Sequence, residues 1–231
     1  MVQGDPDGSE NEFCSNKESR LRKYQAAAAG YSARYADPLA FVRRQIEMVL
    51  SWGSPVSPGS SVLELGCADG FVTEHLVRAG LRVTGLDLAP AMVEATRRRL
   101  DASELEAEEL VLCDLDEYEP ARCYDVILGM RSLFGYVRDL PVVLQKLAGA
   151  TALKLIADVN PRSLPVADAK ALLRDAGFPQ VVSKPLFVPQ RLSVGRLGLH
   201  ALRLAESTPV LNRALLRQKF TVVLRADMHL S

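Results

Sequence analysis

The 231-residue sequence is short of several residue types, and each shortage removes a class of protein. Aromatic residues make up only 6%, with a single Trp, and Lys plus Arg (28) merely balance Asp plus Glu (28). A nucleic-acid binder is expected to carry a basic excess, and a single-strand binder a basic surface with interleaved aromatics. Neither is present, so no nucleic-acid partner is expected. The four Cys (14, 67, 113 and 123) are too few for a disulfide scaffold and lack the close pairing of a zinc site. They read as reduced thiols of a cytoplasmic protein, with no metal expected. No uncharged apolar run approaches the ~20 residues that span a bilayer. The first twelve residues hold Asp5, Asp7, Glu10 and Glu12 and no Lys or Arg, unlike a secretory signal. Residues 1–16 are expected to be a solvated, disordered tail.

What is present is a globular composition, 48% hydrophobic and 24% charged. Residues 17–60 read as an N-terminal helical cover. Ala26–Ala29 are strong helix formers, and Asp37-Pro38 is a cap followed by a first-turn proline. The cluster Gly53–Ser60 breaks the pattern. Beyond it, short apolar runs (62–65, 82–86, 110–113, 125–128, 153–159, 181–188 and 220–226) alternate with helical patterns. The helices centre on 71–79, 90–100, 140–147 and 169–176. Such alternation predicts an α/β fold, a mainly parallel sheet with helices on both faces.

Residues 189–219 interrupt the alternation as a helical insertion within the domain 61–231. They carry six basic residues (Arg191, Arg196, Arg203, Arg213, Arg217, Lys219) against Glu206 alone. They are expected to form two short helices split near Pro209. Three roles fit: a lid, a wall of the core, or a weak membrane-surface contact.

The chemistry concentrates in Val62–Phe71. There a strand runs into a turn containing Gly66 and Gly70, and the turn opens a helix. Glycines let backbone approach a ligand closely, and a helix N-terminus adds free N–H groups. A second strand ends in Asp87, placed to accept from ribose hydroxyls. A third ends in Asp114, placed to accept from an adenine amino group. The spacing is not that of the G-x-G-x-x-G dinucleotide turn.

In order and spacing, these segments resemble the class I S-adenosylmethionine-dependent methyltransferases. The matching stretches are Glu64-Leu65-Gly66-Cys67-Ala68-Asp69-Gly70, Val83–Met92 ending its strand at Asp87, Asp114, Tyr124–Leu128 and Leu172–Phe178. Ala68 departs from the pattern, since many members have Gly there. The resemblance implies a Rossmann-like, seven-stranded sheet with an antiparallel last strand, and S-adenosyl-L-methionine as cofactor. It implies that Glu64, Gly66, Cys67, Ala68, Asp69 and Gly70 hold the methionine part. Asp87, with Leu88 and Met92, would hold the ribose. Asp114 and Leu115 would flank the adenine, and Met130 and Tyr31 would border the cofactor. Tyr136, Arg131 and His200 are the candidate catalytic residues. The expected function is methyl transfer to a small, apolar or lipophilic metabolite, with oxygen favoured over nitrogen or carbon. The rivals are a non-catalytic binding or scaffold protein and a membrane-surface lipid-modifying enzyme.

Overall fold

A computed structural model describes residues 17–131, 133–186, 195–208 and 221–229. Seven strands form one sheet: β1 (Ser61–Leu65), β2 (Arg82–Asp87), β3 (Glu109–Leu112), β4 (Tyr124–Gly129), β5 (Thr151–Val159), β6 (Gln180–Leu186) and β7 (Thr221–Asp227). Their order is β3-β2-β1-β4-β5-β7-β6. Only β7 runs antiparallel, to both β5 and β6. The sheet is therefore the Rossmann-like one that the sequence resembles, with the antiparallel strand last in the chain.

The helices are α1 (Lys17–Ala27), α2 (Pro38–Ser51), α3 (Phe71–Arg78), α4 (Pro90–Ala102), α5 (Leu140–Gly149), α6 (Val166–Asp175) and α7 (Gly195–Ser207). Local chemistry fixes several starts. Asp37 accepts from Ala40 N at 2.9 Å ahead of Pro38, and Asp139 accepts from Val142 N at 3.2 Å. Strand residues alternate between two cores. Leu63, Leu65, Ile127 and Leu155 meet Val143, Leu144 and Leu147 of α5 and Leu173 of α6. Val62, Val83, Val126 and Ile156 meet Met48 and Val49 of α2 and Leu76 of α3 on the other face. Burial on both faces is why these strands read as continuous apolar runs.

Chain direction across the sheet reverses between β1 and β4, which both pair with their neighbours in parallel. Ligands in open α/β sheets bind at the carboxyl ends of strands at such a point. Glu64 and Leu65 close β1 there, and Gly129 closes β4.

Helix α1 stays off the sheet. It has one buried residue, Arg20, and is tied down through Lys17 Nζ to Glu117 at 2.7 Å and Asp114 at 3.5 Å. The expected tail, the 189–194 stretch and the expected helix after Pro209 lie outside the described residues. Among the described residues, no helix is long and apolar enough to cross a membrane.

Candidate active site

The turn after β1 is clamped from three directions. From β2, Leu86 O accepts from Gly66 N (2.8 Å) and Cys67 N (2.9 Å), and Asp87 Oδ2 accepts from Ala68 N (2.9 Å). From α4, Thr96 Oγ1 donates to Ala68 O (2.8 Å), and Arg99 Nε donates to Asp69 O (2.7 Å). From the N-terminal segment, Ser32 donates to Asp69 Oδ2 through its backbone N (3.0 Å) and its hydroxyl (2.6 Å). Arg99 Nη2 lies 3.2 Å from the same oxygen. These bonds hold three residues at left-handed φ: Gly66 (+74°), Ala68 (+51°) and Gly70 (+75°). Ala68 occupies this region at a cost of about 1–2 kcal/mol that glycine would not incur.

The two motif glycines serve different ends. A Cβ on Gly66 would meet only Leu133, at 3.7 Å, because the space beside it is an open cleft. Gly70 does not line that cleft. It caps α3 and lies against Thr96 of α4.

The cleft encloses about 1200 Å³ including its open mouth. Glu64, Gly66, Cys67, Ala68, Asp69, Asp87, Leu88, Asp114, Leu115, Met130 and Tyr31 of the predicted cofactor residues all line it. Met92 does not. It is fully buried in a small cluster with Ala28 and Ala89, so its role is to seat the N-terminal segment on α4. Of the predicted catalytic residues, Tyr136 and Arg131 line the cleft. His200 is exposed on α7 and is not among the lining residues. Helix α7 instead joins α2, through an Arg44–Glu206 ion pair and Arg203 to Glu47 at 3.1 Å.

Several lining or supporting residues were missed in the sequence: Arg20, Tyr24, Ser32, Gln45, Thr73, Thr96 and Arg99. Thr96 carried a signal, since it is a polar residue at helical spacing between buried Met92 and Leu100.

The electrostatics follow from burial. Glu64 accepts from Thr73 Oγ1 at 2.6 Å, and desolvation pushes its carboxyl up to about 8. Burial also raises Asp87, opposed by the N–H groups of Ala89, Ala68 and Leu88. Burial pushes the Cys67 thiol up, away from the thiolate that a nucleophile requires. Burial raises Tyr24 too, helped by Tyr136 and Tyr31.

The Glu64 shift has a measurable result. The folded chain holds that proton up to about pH 8, whereas the unfolded chain releases it near 4.5. The unfolded state binds fewer protons across this window, so the contribution of Glu64 falls as pH rises through it and levels above. Glu64→Gln is expected to remove that slope. Thermal unfolding at pH 5 and pH 8 checks it: equal pH dependence in both proteins would contradict the assignment.

The site fits an adenosyl cofactor. Asp87 Oδ1 accepts from Ala89 N and Oδ2 from Ala68 N (both 2.9 Å), and a carboxylate has acceptor sites beyond these for ribose hydroxyls. Asp114 Oδ2 is buried without a hydrogen bond, with Arg20 Nη2 at 3.7 Å and Lys17 Nζ at 3.5 Å. An exocyclic amino group would satisfy it. Among the described residues, no cluster of His, Cys, Asp and Glu is placed to hold a metal ion.

Comparison with known proteins agrees. Residues 62–153 match the family model described as a methyltransferase domain. The chain is 33% identical over 96 residues to the S-adenosyl-L-methionine-dependent Diels-Alderase of Talaromyces variabilis, covering 40% of this chain and 32% of the relative. It is 29% identical over 136 residues to the malonyl-[acyl-carrier protein] O-methyltransferase of Bacillus cytotoxicus, covering 57% and 45%. The matches thus span less than half the length of these relatives. In structure it resembles magnesium protoporphyrin IX methyltransferase from Synechocystis PCC 6803 with bound cofactor. The TM-score is 0.65 at 17% identity, over 94% of this chain and 99% of that one. The fold is that of the class I S-adenosylmethionine-dependent methyltransferases, and residues 62–153 match a methyltransferase domain. The cofactor of that class is S-adenosyl-L-methionine.

Proposed function

We propose that this protein transfers the methyl group of S-adenosyl-L-methionine to an oxygen of a small acceptor with an apolar body. The observation that carries the reading is Asp87, which closes β2 at the cleft while its carboxylate pins the strained turn at Ala68. Oxygen is favoured because relatives are named O-methyltransferases. The apolar body is favoured by Phe41, Val72, Leu128 and Leu133 in the cleft wall.

The cofactor supplies a methyl group already activated by a sulfonium charge. The task left to the chain is alignment, a proximity effect of several kcal/mol. Asp87 would hold the ribose and Asp114 the adenine. Glu64 and the Gly66–Asp69 backbone would hold the methionine part, and residues 17–36 would cover it. Tyr136 is the candidate group for an acceptor hydroxyl, since it borders the cleft and its backbone oxygen accepts from Arg20.

Calorimetric titration with S-adenosylhomocysteine tests the reading, and single-site binding in the micromolar range or tighter is expected. Absence of binding by folded protein would overturn it. A second reading has one support, the relative named as a Diels-Alderase. In that case the cofactor binds, but an acceptor turns over without forming S-adenosylhomocysteine. A membrane-surface contact rests on the exposed Leu197 and Leu204 of α7. Co-sedimentation with anionic vesicles separates it from a purely soluble acceptor.

A further inference from the structure

Several polar groups in the cleft wall have no partner. Arg131 lies two residues past the end of β4 and holds φ at +74°, a left-handed conformation in a residue with a long side chain. Its guanidinium lies 4.6 Å from the Tyr35 ring centroid and 5.9 Å from that of Phe41, and these two rings stack on each other at 5.0 Å. Its Nε and Nη1 are buried and have no hydrogen-bond partner. Besides Arg20 Nε and Asp114 Oδ2, which belong to the ion pair described above, two further groups lining the cleft are orphaned: the Tyr35 hydroxyl and Oε1 of Gln45, a residue only 1% exposed.

Buried polar groups in native proteins are nearly always paired, and a buried guanidinium most of all. Here the unpaired guanidinium of Arg131 lies against Tyr35, itself unpaired at its hydroxyl, at a strained backbone position of the kind that clusters at ligand sites. Nothing already assigned to the cofactor uses them.

The geometry points to Arg131 as the recognition residue for a carboxylate on the methyl acceptor, with the Tyr35 hydroxyl as a second donor to it. The inference rests on the methyltransferase reading for the word acceptor. A carboxylate supplies the acceptors that the unpaired N–H groups of this guanidinium lack, while its face is taken by Tyr35, and charge-assisted bonds of this kind are the strong ones. The apolar remainder of the molecule would lie against Phe41, Leu128 and Leu133. A carboxylate could also come from the cofactor itself. The contacts argue for the acceptor. Arg131 touches Tyr35 and Phe41, whereas the 66–70 turn touches Ser32, Leu86, Asp87, Thr96, Arg99 and Leu133.

The test uses octanoate and its uncharged twin octanamide, titrated into the full chain with and without saturating S-adenosylhomocysteine. The unaltered protein is expected to bind octanoate at least about tenfold more tightly. Arg131→Met and Arg131→Gly are expected to abolish that preference while S-adenosylhomocysteine affinity stays within about twofold. Arg131→Gly suits the left-handed backbone, so its melting temperature is not expected to fall. Equal binding of the two probes, binding of neither, or a preference that survives in both variants would overturn the assignment. A tenfold loss of S-adenosylhomocysteine affinity in the variants would overturn it too, by moving Arg131 to the carboxylate of the cofactor. Failure of the methyltransferase reading looks different: no S-adenosylhomocysteine binding, with the octanoate preference intact in its absence.

Discussion

Gly70→Ala is expected to lower the melting temperature by roughly 5–20 °C. A Cβ at this position would stand 2.8 Å from both Cα and Cγ2 of Thr96 and 3.0 Å from its Cβ. Thr96 Cα is backbone in the middle of α4, so relief requires moving a helix and not a flexible side-chain tip. The φ of +75° adds about 1–2 kcal/mol for any residue with a Cβ. Overpacking adds about 1–3 kcal/mol. For a chain of this size each kcal/mol shifts the midpoint by roughly 2–4 °C. Displacing α4 also disturbs Thr96 and Arg99, which hold Ala68 and Asp69, so cofactor affinity falls with stability. Gly66→Ala separates the two effects. It shares the backbone penalty, but its Cβ enters the cleft, so it loses mainly affinity. Thermal unfolding followed by circular dichroism, paired with calorimetry, reads both. A Gly70→Ala midpoint within 1–2 °C of the parent would contradict the packing argument.

Asp87→Ala should reduce affinity for S-adenosylhomocysteine by about 100-fold or more. Two ribose hydroxyls on one carboxylate are charge-assisted bonds, each contributing about 1.5–3 kcal/mol. The same oxygens hold Ala68 N and Ala89 N, so truncation also releases the turn that shapes the site. Asp87→Asn keeps the shape and one acceptor oxygen, and its loss should be intermediate. Calorimetric titration of the three proteins decides the point. An affinity unchanged by Asp87→Ala would take the residue out of the site, whatever its hydrogen bonds in the free protein.

The sheet and the acids that line the cleft were legible because each is local. A strand buried on both faces shows as an apolar run, and Glu64, Asp87 and Asp114 sit at strand ends where the run stops. Arg99 was not legible. As part of Arg97-Arg98-Arg99 it reads as a helix-end charge, and only the fold shows that it turns back to Asp69, 30 residues away. Its neighbour Arg97 does behave as a surface charge, pairing with Glu94 at 2.7 Å. Met92 misled for a similar reason. The family resemblance put it near the ribose, whereas here the helix turns its side chain towards Ala28 and Ala89. The unpaired state of Arg131 depends on Tyr35 and Phe41, about ninety residues earlier, and no local pattern carries that.

The attachment of the N-terminal segment has a consequence for local opening. Residues 17–36 reach the body through Lys17 and Arg20, the two Ser32 bonds to Asp69 and a small cluster around Ala28. Their apolar contacts are Leu21, Tyr24, Ala27 and Tyr31 around Ala28 and Tyr35 stacked on Phe41, far fewer than those of the helices that cover the sheet. The sheet, by contrast, is sealed by two full layers of helices. Undocking 17–36 therefore costs a small fraction of global unfolding and leaves every strand paired, so this segment forms its own cooperative unit. Its amides should exchange with solvent through brief subglobal openings, while those of β1, β4 and β5 wait for the whole domain. A bound cofactor lying between the two parts would slow the first kind of exchange far more than the second.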